Sequence, residues 1–144
     1  MSLLSDQDRQ AVRERLSDIQ QPVRLLLFTQ TFGAPDTAVL ARQVVDELAS
    51  LNDLIQVEEV NFVLERDRAA QYGIEHIPSI VLLSGDEDTR MRFIGAPAGY
   101  EFVSLIEAVV LAGTTDSRLT EDSRALIAAN VTGPVDIQVF VTPT

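Results

Sequence analysis

Residues 73–83 read Gly-Ile-Glu-His-Ile-Pro-Ser-Ile-Val-Leu-Leu. Gly73 closes a short helical pattern, because glycine accepts the left-handed backbone found just past a helix end. Residues 79–83 form a run of strand-forming residues, apolar apart from Ser79. Such a run suits a strand covered on both faces. Pro78 stands between the two. Proline cannot donate a hydrogen bond, so it is tolerated where a strand begins. An X-Pro bond also takes the cis form at a cost of only about 0.5–1 kcal/mol. Whether Pro78 merely starts a strand or turns the chain into it through a cis bond depends on what surrounds it.

Upstream, residues 4–19 are predicted to form an amphipathic helix. Ser5 is placed to cap it, Asp6 and Asp8 sit in its first turn, and Leu4, Val12, Leu16 and Ile19 share one face. Pro22 ends it. Residues 23–29, VRLLLFT, are apolar apart from Arg24 and read as a buried strand. Residues 31–35 form a loop containing Gly33, and Pro35 fits the first turn of the next helix. That helix, over 36–51, carries Leu40, Val44, Leu48 and Leu51 at helical spacing. Residues 54–62 read as a second strand and 65–72 as a short helix ending at Gly73. The rule of right-handed crossovers makes the first two strands parallel. Downstream of Pro78 the pattern changes. Residues 79–83 and 90–94 read as two strands joined by Ser-Gly-Asp-Glu-Asp-Thr, a polar hairpin link. Residues 95–99 form a loop, and 101–112 a helix with Phe102, Leu105, Ile106 and Val109 on one side.

The order is strand, helix, strand, helix, hairpin, helix, with an extra helix in front. It resembles the thioredoxin fold, which implies an α/β protein with a four-stranded mixed sheet and helices on both faces. The resemblance implies that Ile77–Pro78 is a cis bond, beside which a peptide strand pairs with the backbone. It also places a Cys-x-x-Cys after the first strand, where a helix N-terminus favours the thiolate. This chain has no cysteine. The corresponding loop is Gly33-Ala34-Pro35-Asp36-Thr37-Ala38. A threonine hydroxyl cannot exchange with a disulfide, so this loop is a degenerate active site. No catalytic residue is expected in the chain. Asp36 and Thr37 read as first-turn helix residues.

Composition narrows the remaining functions. The chain has 144 residues, enough for one core without disulfides or metals. Its net charge of −11 speaks against nucleic acid and anionic membrane surfaces, which select basic patches. No apolar run reaches the roughly 18 residues of a membrane span, and the N-terminal residues lack a secretory pattern, so a cytoplasmic protein is expected. No cofactor and no metal are expected. The single histidine, His76, has no nucleophile at a telling spacing and reads as a structural or surface residue. Asp86-Glu87-Asp88 lacks the spacing of a calcium loop and reads as a solvated hairpin turn. Gly95-Ala96-Pro97-Ala98-Gly99 lacks the lysine of a phosphate loop and reads as a turn into a helix.

The far end of the chain repeats its beginning. Pro22-Val23-Arg24-Leu25-Leu26-Leu27-Phe28 is echoed 112 residues later by Pro134-Val135-Asp136-Ile137-Gln138-Val139-Phe140. Leu4-Ser5-Asp6-Gln7-Asp8-Arg9 parallels Leu119-Thr120-Glu121-Asp122-Ser123-Arg124. A repeat this long indicates tandem domains. Residues 1–113 are therefore expected to form one unit, and 114–144 the first helix and strand of a second, truncated one. With the stretch from Phe93 to Phe102 (Phe-Ile-Gly-Ala-Pro-Ala-Gly-Tyr-Glu-Phe), Ile77-Pro78 and the Val139-Phe140-Val141-Thr142-Pro143-Thr144 segment, the chain resembles the first half of the tandem, glutaredoxin-like protein disulfide oxidoreductases. It is similar also to the N-terminal domain of the bacterial alkyl hydroperoxide reductase flavoprotein. That resemblance implies a non-catalytic half of a thiol–disulfide oxidoreductase, whose Cys-x-x-Cys would follow Thr144. Its partners would be a second thioredoxin-like unit and protein disulfide substrates. The alternative is a cysteine-free peptide-binding or scaffold module. The strand over 135–141 is expected to be apolar with open edges, and to seek a partner, including a second copy of the chain.

Overall fold

The computed structural model describes residues 3–141. Its elements are α1 (Asp6–Leu16), β1 (Val23–Thr29), α2 (Thr37–Ala49), β2 (Ile55–Asn61), α3 (Arg66–Gln71), β3 (Ser79–Ser84), β4 (Glu87–Ile94), α4 (Tyr100–Thr114) and α5 (Glu121–Asn130). The four strands form one sheet in the order β2-β1-β3-β4. β1 runs parallel to β2 and antiparallel to β3, and β3 runs antiparallel to β4.

The apolarity of β1, broken by Arg24 and ending in Thr29, follows from its position. It lies between β2 and β3, with both faces covered. Val23, Leu25 and Leu27 point to a core built with Leu16 and Ile19, with Ala41, Val44, Val45 and Leu48 of α2, and with Leu105, Ile106 and Val109 of α4. Leu26 and Phe28 point the other way, into a smaller cluster with Val60, Val81, Leu83, Ile74 and Ala69 of α3. One face of the sheet is thus covered by three helices and the other by the six-residue α3. Beyond the reach of α3, charged side chains cover the second face. Arg24, the lone charge of β1, contacts Glu58 of β2 and Asp86, each at 2.7 Å. Arg68 of α3 reaches the same Glu58 at 2.6 Å.

Helix α4 meets the α1–β1 connection at unusually short range. Backbone N–H groups of Gln20 and Gln21 donate to the Gly113 carbonyl at 3.0 and 3.3 Å. A Cβ on Gly113 would lie 2.5 Å from Ile19 Cγ2.

Two expectations are corrected. The hairpin link is only Gly85-Asp86; Glu87 and Asp88 belong to β4, with Ser84 opposite Glu87 and Leu83 opposite Asp88. Their acidity disguised a strand. β4 is an edge strand, so its polar side chains stay partly in water, and Asp88 is held by Arg92 at 2.7 Å. The register then shifts between Val81 and Leu83, with Arg90 at φ 65°. The second correction concerns residues 135–141. They form no strand with any other described residues and are exposed. A strand exists only with a ladder partner, and none is present among the described residues. Thr142, Pro143 and Thr144 lie outside the described residues. No helix among the described residues is long and apolar enough to cross a membrane.

The ion pairs on the second face set an expected acid response. Hydrogen bonds from Arg68 and then Arg24 hold Glu58 below the usual carboxylate range. Arg92 does the same to Asp88, and Arg15 to Glu107. A carboxylate depressed in the folded state contributes stability above its unfolded pKa, and that contribution is lost as pH falls through the folded pKa. These groups are partly exposed, so each contribution is screened and stays within about 1 kcal/mol. Urea unfolding of the wild type and of Glu58→Gln should therefore differ at pH 7. The gap should close as pH drops through and below about 4. An unchanged gap at acid pH would contradict the pairing.

Candidate functional site

The strand register brings four loops to one end of the sheet. Phe28 of β1 faces Ser79 of β3, so the Ile77–Pro78 pair lies beside the exit of β1 at Thr29. Ser79 in turn faces Ile94, which carries loop 95–99 to the same end. On the other side Thr29 faces Asn61, and the Phe62 N–H donates to the Thr29 carbonyl at 2.7 Å. Loops 30–36, 62–65, 77–78 and 95–99 are therefore neighbours by construction.

The Ile77–Pro78 bond is cis, and Pro78 is buried. Its carbonyl accepts from the Gly95 N–H at 2.8 Å, and Ser79 Oγ donates to the His76 carbonyl at 2.6 Å. These bonds tie the proline segment to the 95–99 loop and to its own approach. Ile77 is half-buried and faces the smaller cluster.

The loop between β1 and α2 leaves through Gln30 and turns at Gly33. There φ is +69°, a backbone state that a side chain tolerates poorly. The Ala38 N–H donates to the Pro35 carbonyl at 2.8 Å, which opens α2. The helix proper starts at Thr37. Asp36 occupies the cap position and makes no side-chain capping bond. This adjusts the expectation that Asp36 lies within the first turn. The stretch from Gly33 to Ala38 contains no thiol and no histidine, so nothing in it can exchange with a disulfide.

Of the other candidates, His76 and the 95–99 loop adjoin this end, while Asp86 and Asp88 lie at the hairpin, at the opposite end of β3. His76 is exposed, and its ring makes no hydrogen bond or ion pair among the described residues. Asp86 and Asp88 are engaged by Arg24 and Arg92. No group of three or more metal-ligating side chains occurs among the described residues. The 95–99 loop runs over a buried Pro97 into Gly99, the cap of α4. An apolar groove of about 280 Å³ borders it, formed by Leu3, Leu4, Leu40, Val44, Ala98 and Phe102.

One feature of this end escapes sequence reasoning. Phe32 is 89% exposed, and Leu64, Ile94 and Tyr100 are also open to solvent. Together they make an apolar rim around the four loops. Apolar residues in loops and at element ends look like core residues in a sequence; only the register puts these four at one end of the sheet.

No family model matches the chain. Thioredoxin of Methanocaldococcus jannaschii is 37% identical over 86 residues, which cover 59% of this chain and 93% of that protein. The alkylhydroperoxide reductase AhpF of Enterococcus faecalis superposes with a TM-score of 0.80 at 28% identity, over 88% of this chain and 60% of that one. The NTD_N/C domain of the same protein gives 0.78 at 29% identity with the same coverage. A protein disulfide oxidoreductase of Aeropyrum pernix superposes with a TM-score of 0.72 at 20% identity, over 85% of this chain and 53% of that one. That last likeness is one of fold. The chain thus spans only a little over half of the solved structures it resembles.

Proposed function

The chain belongs to the thioredoxin family, and from that membership we propose that it is a non-catalytic thioredoxin unit working beside a redox-active one. The observation that carries the reading is the loop at the start of α2. It links β1 to α2, where the thioredoxin resemblance places the active site, and it carries no sulfur. Electron transfer to a disulfide needs a thiolate that attacks one sulfur and a second thiol that resolves the mixed disulfide. Neither can come from these 144 residues.

Residues 114–144 support a neighbouring unit. Ser5 caps α1 by accepting from the Asp8 N–H, and Thr120 caps α5 by accepting from the Ser123 N–H, with nearly the same backbone angles. The parallel holds for the two capped helices, whereas the echo of β1 at 134–140 forms no strand among the described residues. An 88% overlap with the Enterococcus faecalis protein also needs more than residues 1–114, so that superposition runs into α5. On this reading the present unit offers a packing surface, and the active unit acts on protein disulfides.

A second reading is a peptide-holding module, favoured by the apolar rim of Phe32, Leu64, Ile94 and Tyr100 beside Ile77 and Pro78. Disulfide-reduction assays separate the two. The 144-residue chain should add nothing to the rate at which dithiothreitol reduces insulin. The full reading frame that contains it should accelerate the reaction. A frame that encodes no Cys-x-x-Cys leaves the holding module.

A further inference from the structure

We infer that a trough along α3 holds a polypeptide segment of a partner, apolar in its middle, acidic at one end and basic at the other. The trough measures about 470 Å³. Half-buried Phe62 and buried Ala69 and Ile74 line its inner side. Exposed Val63 and Ala70 leave it open to solvent. Arg66, Ala70 and Gly73 follow one row along the helix, at spacings of four and three residues. Ala70 and Gly73 carry little or no side chain, and a Cβ on Gly73 would meet nothing within 4 Å. A partner backbone can therefore approach closely along this row.

Two charges decide the occupant. Arg66 is the first residue of α3 and Glu75 follows its end, so the pair brackets the trough from opposite ends of the helix. Neither side chain has an ion pair or hydrogen bond among the described residues. Most arginines of this acidic chain are engaged within it. Arg68, two residues on, contacts Glu58 at 2.6 Å and Glu65 at 3.2 Å. Asp67, next to Arg66 in sequence, lies on another side of the helix. An apolar trough with a cation at one end and an anion at the other matches a segment carrying the opposite pair, and the pairing sets its direction. The helix rise puts residues 66 and 73 about 10 Å apart, a length that an extended segment covers in about three residues. Small molecules favour closed pockets, whereas an open trough suits a polypeptide.

The chain leaves this unit at another place. α4 starts beside the 95–99 loop and runs about 22 Å along the first face of the sheet, with α1 and α2. It ends where the Gly113 carbonyl accepts from Gln20 and Gln21. The trough lies on the second face and at the end of the four loops. It is separate from the groove at Ile77 and Pro78, and it stands whether or not the full reading frame reduces disulfides.

The test uses two fluorescent, end-blocked peptides, DLVLK and KLVLK, titrated with the full reading frame that contains this chain and followed by anisotropy. DLVLK should bind about fivefold more tightly, the worth of one exposed ion pair. The net charge of −11 in this unit favours the basic peptide, so the opposite preference has to come from Arg66. Arg66→Glu should reverse the order of the two peptides. Ala70→Gln, which fills the trough from an exposed position, should abolish binding of both and leave the melting temperature unchanged. Equal binding of the two peptides, an order that Arg66→Glu leaves intact, binding that survives Ala70→Gln, or no binding at millimolar protein would overturn the proposal.

Discussion

Phe28→Ala is expected to destabilise the chain by about 3–5 kcal/mol. Phe28 is fully buried in the central strand, between Val60 on one side and Ser79 on the other. Its ring meets the edge of Tyr72 with centroids 6.0 Å apart and planes at 63°. Such aromatic pairs add about 0.5–1.5 kcal/mol beyond the area they bury. The cluster around it is small, with Leu26, Val60, Val81, Leu83, Ile74 and Ala69 as its other buried members. A small cluster has few atoms to refill a ring-sized hole. The same substitution removes what anchors Tyr72, over which Arg92 lies at 5.7 Å. The C-terminal end of α3 should loosen along with it. Thermal unfolding by circular dichroism should show a fall of roughly 10–20 °C. Phe28→Leu, which keeps most of the volume, should lose about 1.5 kcal/mol or less. A loss below about 1 kcal/mol for the alanine variant would mean that the second face of the sheet is not a packed core.

The second large effect is expected at Gly113, from adding atoms instead of removing them. In a helix interior, glycine to alanine ordinarily gains about 1 kcal/mol. Here the added Cβ would lie 2.5 Å from Ile19 Cγ2, 2.9 Å from its Cγ1 and 3.1 Å from its Cβ. The last of these is rooted in the backbone, so a rotamer change alone does not clear the space. The backbone is held on both sides by the Gln20 and Gln21 hydrogen bonds to Gly113. Overpacking of this kind costs about 1–3 kcal/mol and should outweigh the propensity gain. Gly113→Val, bulkier and a poorer helix former, should lose more than the alanine variant. Ile19→Ala made together with Gly113→Ala should recover part of the loss, because the two sites share one space. If Gly113→Ala melts higher than the wild type, the contact between α4 and the α1–β1 connection is looser than described.

The parts of the fold legible in the sequence are those in which burial is strongly patterned. VRLLLFT could only be a central strand, and the spacing of Leu40, Val44 and Leu48 could only be a helix facing it. The change from helical spacing to a hairpin after Pro78 fixed the topology. What misled was charge on a strand. Glu87 and Asp88 look like turn residues until Arg92 and the edge position of β4 account for them. Arg24, a single charge in an apolar run, was the available signal for the Glu58–Arg68 network, but its partners lie 34 and 44 residues away in sequence. At the candidate site the sequence was informative through what is absent. Loop Gly33–Ala38 lacks sulfur, and that is visible without any structure. The apolar rim was not visible, because Phe32, Leu64, Ile94 and Tyr100 come from separate segments. The expected strand over 135–141 needed a partner that residues 3–131 do not provide.

We propose that this thioredoxin unit is redox-silent and serves a neighbour that is not. The most direct measurement is insulin reduction by the full reading frame containing these 144 residues, with each cysteine of any Cys-x-x-Cys downstream of residue 144 changed in turn to serine. The intact frame should reduce insulin, and loss of the attacking thiol should bring the rate down to the uncatalysed one. No such cysteine pair in the frame, or a rate that survives its removal, would contradict it.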